Sequence, residues 1–464
     1  MKARRIAVFL CLLLAFPAFR ISPAQAAPAA YFSGEGTKEN PYLINNADDL
    51  LTLAQVYYYY PGKYFLQTAD IDLSGFANMD GGNGWRPIGW AYEGDPSFQA
   101  YYDGGGHSIK NLTMNRPYQH YLGLFGMIGP GSVVANVNME VVRITGGSTI
   151  GALVGYNQGT VRNIHIRDVI IDGNGELGAL TGRNNGSITD SGADLTELSI
   201  SGSSYYVGGL VGWNDKGFIL GSHVTGANSV TCATYGTGCD VVSGSDYAGG
   251  LAGSNSGWIL GSSSSASVKG AKYAGGLAGT NTVYGMIERS HAAGGVFSAP
   301  GSERTGGLVG SNSGEIHHSS ASGSVHGDQY VGGLAGSNSQ GPGVISWSRA
   351  EGTVSGSRYV GGLAGQNQRE ITRSSAAGNV FGDSPSDARV GGLVGENAES
   401  GTVTFSHAEG DVHGGGLYIG GLIGYNYGLV ENSYATGNVH GPDPVISQTN
   451  GGLFGHHSEQ KGAT

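Results

Sequence analysis

The sequence predicts an all-β chain wound as a parallel solenoid. Three observations carry that prediction. First, a block of the form Gly-Gly-Leu-Val/Ala-Gly-x-Asn returns from Gly123 almost to the C-terminus. Twelve leucines mark its copies: Leu124, Leu153, Leu180, Leu210, Leu251, Leu277, Leu308, Leu334, Leu363, Leu393, Leu422 and Leu453. Second, these leucines stand 26 to 31 residues apart, except for a gap of 41 between Leu210 and Leu251. A period held this long means stacked copies of one unit, each burying its apolar face on the next. Third, 86 of the 464 residues are glycine and only 13% are charged. With β-branched residues between the glycines, that composition suits short strands and tight turns and argues against helical repeats. About twelve coils at about 4.8 Å per step make a rod of roughly 55–60 Å.

The chain opens on a secretory signal pattern at residues 1–26. Lys2, Arg4 and Arg5 precede an apolar run from Ile6 to Phe19, and Ala24-Gln25-Ala26 is a small-x-small cleavage site. The apolar run is short for a membrane span, and no later run is long enough to be one. The expected location is therefore secreted or at the cell surface. The formal net charge is −11, and residues 1–26 hold four of the basic groups, leaving the remainder at −15. An acidic body argues against nucleic acid as a partner. Cys232 and Cys239 fall in the long gap, in an inserted loop at about 226–244, and an exported chain is expected to bridge them.

Residues 27–122 are expected to form a cap and the first irregular coils. Ala27 to Asn40 reads as a flexible lead-in. Asn46 is placed as an N-cap, with Asp48 and Asp49 in the first turn and Leu50, Leu53, Ala54 and Tyr57 at helical spacing. Pro61-Gly62 ends the helix. Tyr64–Leu73 alternates as a strand, and Asp70 and Asp72 share one of its faces. With Asp103 and His107 they are the weak candidates for acid–base chemistry. The plainer expectation is that these carboxylates bond turn amides.

Residues 123–455 are the repeats, and 456–464 a polar tail. Each unit shows three apolar beats: Gly-Gly-Leu, an Ile or Val such as Ile316, and Gly-x-Val-x-Gly as at Val325. Four residues after the marker leucine stand Asn157, Asn184, Asn214, Asn255, Asn281, Asn312, Asn338, Asn367, Asn397 and Asn426. Stacked coils would bring these amides into a ladder, each donating to the next. Four residues before it stand Tyr206, Tyr247, Tyr273, Arg304, Tyr330, Tyr359, Arg389 and Tyr418. Flat groups with polar tips, repeated coil after coil, make either a binding column or an aromatic ladder that stiffens the rod. His413 and His440 occupy equivalent places in adjacent coils, but two imidazoles without a third ligand assign no metal, and no cofactor is expected.

Gly306–Ser319, GGLVGSNSGEIHHS, and Asn432–Val439, NSYATGNV, resemble the GLUG-motif repeat. That resemblance covers about Gly34 to Gly455. It implies a right-handed β-helix and a place among bacterial surface adhesins, or beside the zinc domain of IgA1-type peptidases. Those peptidases carry His-Glu-x-x-His. No histidine here is followed by glutamate, so the zinc-protease activity is not expected. The function expected is binding or adhesion, to glycan or to a protein partner, along the Tyr/Arg column. A polysaccharide lyase or glycoside hydrolase on the same fold is the enzymatic alternative, and a bare stalk the structural one.

Overall fold

A computed structural model of the protein describes residues 31–90, 95–195, 199–201, 206–226, 242–244, 246–270, 272–298, 300–384, 388–441 and 450–457. The signal pattern and both Cys232 and Cys239 lie outside the described residues. The described chain is a parallel β-solenoid. Its strands stack turn on turn into three faces, two of them 12 and 11 strands deep. Every pairing between named strands is parallel; one isolated bridge, Gly84 with Met114, is antiparallel.

The turn from Arg304 to His326 shows how the repeat folds. The sequence marks three beats, but the backbone makes five short strands: Arg304–Gly306, Val309–Asn312, Glu315–His317, Ser320–Ala321 and Val325–His326. The glycine pair splits the first beat. At Gly307 a β-carbon would stand 2.0 Å from the Gly333 carbonyl oxygen and 3.0 Å from the Ala321 β-carbon. Only glycine allows the chain to cross the coil this closely. The crossing pinches the interior into two columns. Leu308, Ile316 and Ala321 belong to the main core, which runs the length of the rod. Val325, Val331, Val354, Val360 and their successors form a second, narrower core. Each core is continuous between turns, so one turn's apolar face is closed by the next.

Winding starts before the first repeat. Tyr42 pairs with Phe65, Tyr64 with Tyr101, and Tyr101 with Val133, so the N-terminal coils already share the solenoid's register. The helix Ala47–Val56 is capped by Asn46, whose side-chain oxygen accepts from the Asp48 and Asp49 amides at 2.9 and 3.0 Å. Its buried Leu50, Leu53 and Val56 join the main core. The lead-in expected to be flexible packs instead, over its described part. Phe32 is buried with its ring 5.5 Å from Phe65, and the Leu43 amide donates to the Ser33 carbonyl. At the other end the strand Phe454–His457 pairs with Ile423–Asn426, so His456 and His457 belong to the last rung rather than to the tail. No helix among the described residues is long and apolar enough to cross a membrane.

Candidate functional site

Two polar ladders hold the coils in register. From Asn157 to Asn426 each asparagine donates its side-chain N–H to the next asparagine's oxygen, at 2.7 to 2.9 Å. Asn426 makes the last contact with His457 Nδ1, at 3.0 Å. These buried amides are satisfied by the asparagine one turn away together with backbone groups of the adjoining turn, as where Asn312 also donates to the Gly314 carbonyl. The second ladder is of serines. The amides of Ser290, Ser319, Ser348 and Ser374 each donate to the next serine hydroxyl, at 3.2, 3.2, 3.2 and 3.1 Å.

The Tyr/Arg column lies in register from Tyr206 to Tyr418. All eight side chains are half-buried. Tyr247 stacks on Tyr273 with centroids 4.6 Å apart, and Tyr330 on Tyr359 at 4.6 Å. The Arg304 guanidinium lies 5.0 Å from the Tyr273 ring and 5.8 Å from the Tyr330 ring. Arg389 lies 5.0 Å from Tyr359 and 4.7 Å from Tyr425, and pairs with the nearly buried Glu396. Burial pushes the Tyr206, Tyr247 and Tyr273 phenols up. Ring faces are thus spent on one another, and the Arg304 guanidinium and Tyr273 hydroxyl are engaged with each other and with Glu303.

A second column stands at the corner after each Ile or Val beat. Its backbone is left-handed: φ is 57° at Asn136, 52° at Asn163, 49° at Asp190, 57° at Gly221 and 56° at Gly261. Asn, Asp and Gly are the residues that tolerate this conformation. Five successive later coils place Arg289, His318, Trp347, Arg373 and Phe405 there instead, with φ of 47°, 49°, 50°, 47° and 51°. Trp347 and Phe405 are 56% and 54% exposed. The Arg373 guanidinium lies between them, 5.2 Å from Trp347 and 5.3 Å from Phe405. His318 stacks on the other side of Trp347, at 6.1 Å.

The cap places Asp70 beside His107, 3.6 Å from its Nδ1, with Lys110 3.7 Å away. The Ser108 amide bonds Asp70 and, with the Lys110 and His107 charges, holds it below the usual carboxylate range. Asp72 is likewise lowered, by Asn111 and the Ser74 amide. Asp103 accepts from the Gly105 amide and the Asn136 side chain. Asp70 and Asp72, anchored and acidified in this way, are poor general bases near neutral pH. Beside Asp103 opens a cleft of about 440 Å³ lined by Lys38, Tyr64, Tyr101, Val133, Ala135 and Arg162. It exists because Val133 and Ala135 put small side chains between coils that carry large ones.

The repeat model described as "The GLUG motif" matches residues 301–325 and 415–439. This chain carries GLUG repeats. A protein of Evansella cellulosilytica described as a candidate Gly-rich membrane protein is 35% identical over 159 residues, 34% of this chain and 18% of that protein. Halomucin of Haloquadratum walsbyi is 36% identical over 135 residues, 29% of this chain and 2% of its own length. The aligned part is therefore under a fifth of either relative. A crystal structure described as a candidate immunoglobulin A1 protease from Bacteroides ovatus superposes with a TM-score of 0.45 at 20% identity, covering 62% of this chain and 85% of that one.

The GLUG repeat carries two features that sequence reading passed over. The serine ladder occupies the position three after the Ile or Val beat, as Ser319 follows Ile316. The left-handed corner is the position two after it. Its signal was available: Asn, Asp and Gly fill that place in the early coils and give way to Arg289, His318, Trp347, Arg373 and Phe405 later.

Proposed function

We propose that the chain is a secreted or cell-surface GLUG solenoid that binds a glycan or a surface protein along its flank. One observation carries the reading: the run His318, Trp347, Arg373 and Phe405 at the left-handed corner. Bulky L-residues there cost about 1 kcal/mol or more each over glycine or asparagine. The rod does not need them, since other coils turn the same corner with Asn, Asp or Gly. Side chains stacked along the column and held outward at a conformational cost leave exposed ring edges that suit apolar contact with a sugar or a partner's surface. The Tyr/Arg column adds half-buried aromatic and guanidinium groups to the proposed surface. Export is supported by the signal pattern, by the low charge, and by relatives described as a Gly-rich membrane protein and a halomucin.

The test is a glycan array and a pull-down from cell-surface protein, both with the exported chain. Trp347→Ala with Phe405→Ala is expected to lose at least about tenfold in binding, the effect of removing two central aromatic anchors. Binding that is unchanged in this pair and in Tyr330→Ala with Tyr359→Ala would refute the flank as the recognition surface. Release of sugar from bound glycan would move the reading to the lyase or hydrolase alternative.

A further inference from the structure

The second core is closed on its outer side by the strand that carries the third-beat valine. In successive coils the residue after that valine is Phe297, His326, Ser355, Phe381, His413 and His440, paired rung to rung. Val412 points inward and is fully buried. Asp411 and His413 flank it in sequence and therefore project from the outer face together. His440 stands one rung beyond, its ring 4.5 Å from the His413 ring and nearly parallel to it. Phe381 covers the other face of His413 at 4.9 Å.

Asp411 is fixed by its neighbours. Its amide donates to Asn379 Oδ1 at 3.0 Å, and its Oδ1 accepts from the Asn438 amide and side chain at 2.8 and 3.1 Å. Both bonds to the carboxylate fall on Oδ1, so neither engages Oδ2. Ligand atoms of Asp411, His413 and His440 all lie within 4.8 Å of one another. We propose that Asp411, His413 and His440 form a binding site for a divalent transition-metal ion of the zinc type, with water in the remaining position.

The donor set favours that class. Two imidazole nitrogens and one carboxylate oxygen suit zinc and its neighbours, whereas calcium and magnesium take oxygen ligands. Tetrahedral zinc with bonds of about 2.1 Å needs its donors about 3.4 Å apart, so a modest turn of the exposed His440 ring closes the site. Elsewhere in the column the one imidazole is already engaged: His326 Nδ1 meets Ser355 Oγ at 2.9 Å. Only where histidines occupy successive rungs does the ladder supply two nitrogens to one ion.

Position suggests what the ion does. It would join the coil of Val403, Ala408 and Val412, all fully buried, to the next one, whose Val430 and Val439 are only partly covered. Leu429 and Tyr434 of that outer coil are 51% and 53% exposed. A metal bound across this step stabilises a rung that the core covers less than the one before it, because it binds the wound state and not the frayed one.

The experiment uses the mature chain without an affinity tag, stripped with chelator and titrated with ZnCl2 by calorimetry. One ion per chain is expected, with a raised Tm. Asp411→Asn keeps the Asn438 contact and removes the anionic oxygen; it and His440→Ala are each expected to weaken binding by at least about tenfold. His326→Ala, and His456→Ala with His457→Ala, are expected to leave the affinity unchanged. Co²⁺ in place of Zn²⁺ gives a visible absorption that reports the nitrogen–oxygen ligand set without relying on stability. No binding at about millimolar zinc, or binding unaltered by Asp411→Asn and His440→Ala, would overturn the site.

Discussion

The Tyr/Arg column and the left-handed corner both stack flat side chains rung upon rung, but they do so on opposite terms. In the first, the backbone is an ordinary strand, and the side chains are half-buried against the neighbouring face. Arg304 and Arg389 keep only 25% and 19% of their side-chain surface. In the second, the backbone is held where bulky residues are disfavoured, and Trp347 and Phe405 expose more than half their surface. The first column therefore contributes to the rod's own cohesion. The second works against local preference and leaves its apolar surface in water. Periodicity alone does not separate a scaffold column from a proposed binding column in a repeat protein; the sign of a residue's conformational energy offers a second criterion.

The largest expected effect is on the Tyr/Arg column. Replacing Tyr330, Tyr359 and Tyr418 by Ala should cost about 4 kcal/mol in total, from lost burial, ring stacking and the cation–π contacts of both arginines. Equilibrium unfolding in denaturant measures it, and a cost below about 1 kcal/mol would mean the column is not a ladder. Next comes Arg389→Ala. Its partner Glu396 has only 10% of its side chain exposed, so an unpaired carboxylate is left inside, at a cost of about 2–3 kcal/mol. The double variant with Glu396→Gln should recover most of that loss, since Gln366, which donates to Glu396 Oε1 at 2.9 Å, still finds an acceptor there.

The repeat, its parallel stacking and the cap helix were legible because each is written as spacing: leucines about 29 apart, and Asn46 ahead of a helical run. The Tyr/Arg column was legible as a column but not as half-buried. Its burial depends on the facing residues three after each leucine, small at Ser254, Ser311 and Ser337, which only the fold brings against it. The five-strand turn was hidden because a glycine pair reads the same in a turn as in a strand corner. His413 and His440 were visible as neighbours. Asp411 was missed because its carboxylate is fixed by Asn438 of the next coil while its amide donates to Asn379 of the previous one, contacts that only the fold supplies.

A smaller effect separates the columns by pH. Burial holds the Tyr247 and Tyr273 phenols above their ordinary pKa of 10. A group raised in the folded state binds protons more tightly there than in the unfolded chain. Its contribution is fully present below pH 10 and falls as the pH climbs through the folded-state value. Stability should therefore decline above pH 10, and Tyr247→Phe with Tyr273→Phe should shift that decline to higher pH. The corner positions His318, Trp347, Arg373 and Phe405 contain no phenol, so Trp347→Asn should leave the alkaline limb unmoved. Melting curves from pH 8 to 11.5 distinguish the two.

The smallest effect on stability is the sharpest test of the comparison. Trp347→Asn with Phe405→Asn puts at two corners the residue that Asn136, Asn163 and Asn432 already supply at theirs. Asparagine relieves roughly 1 kcal/mol of left-handed strain at each position. The lost stacking with His318 and Arg373, being exposed, is worth about 0.5–1 kcal/mol at each. The two nearly cancel, so Tm should stay level or rise slightly while partner binding falls. Alanine at the same positions loses the stacking and keeps the strain. It should be less stable than the asparagine pair by about 1–2 kcal/mol, a difference that isolates the backbone contribution. A fall of more than about 2 kcal/mol in the asparagine pair would show that the corner residues brace the coils, because exposed stacking alone cannot supply that much. The two columns would then be one kind of ladder at two depths, and the binding surface would have to be sought on another face of the rod.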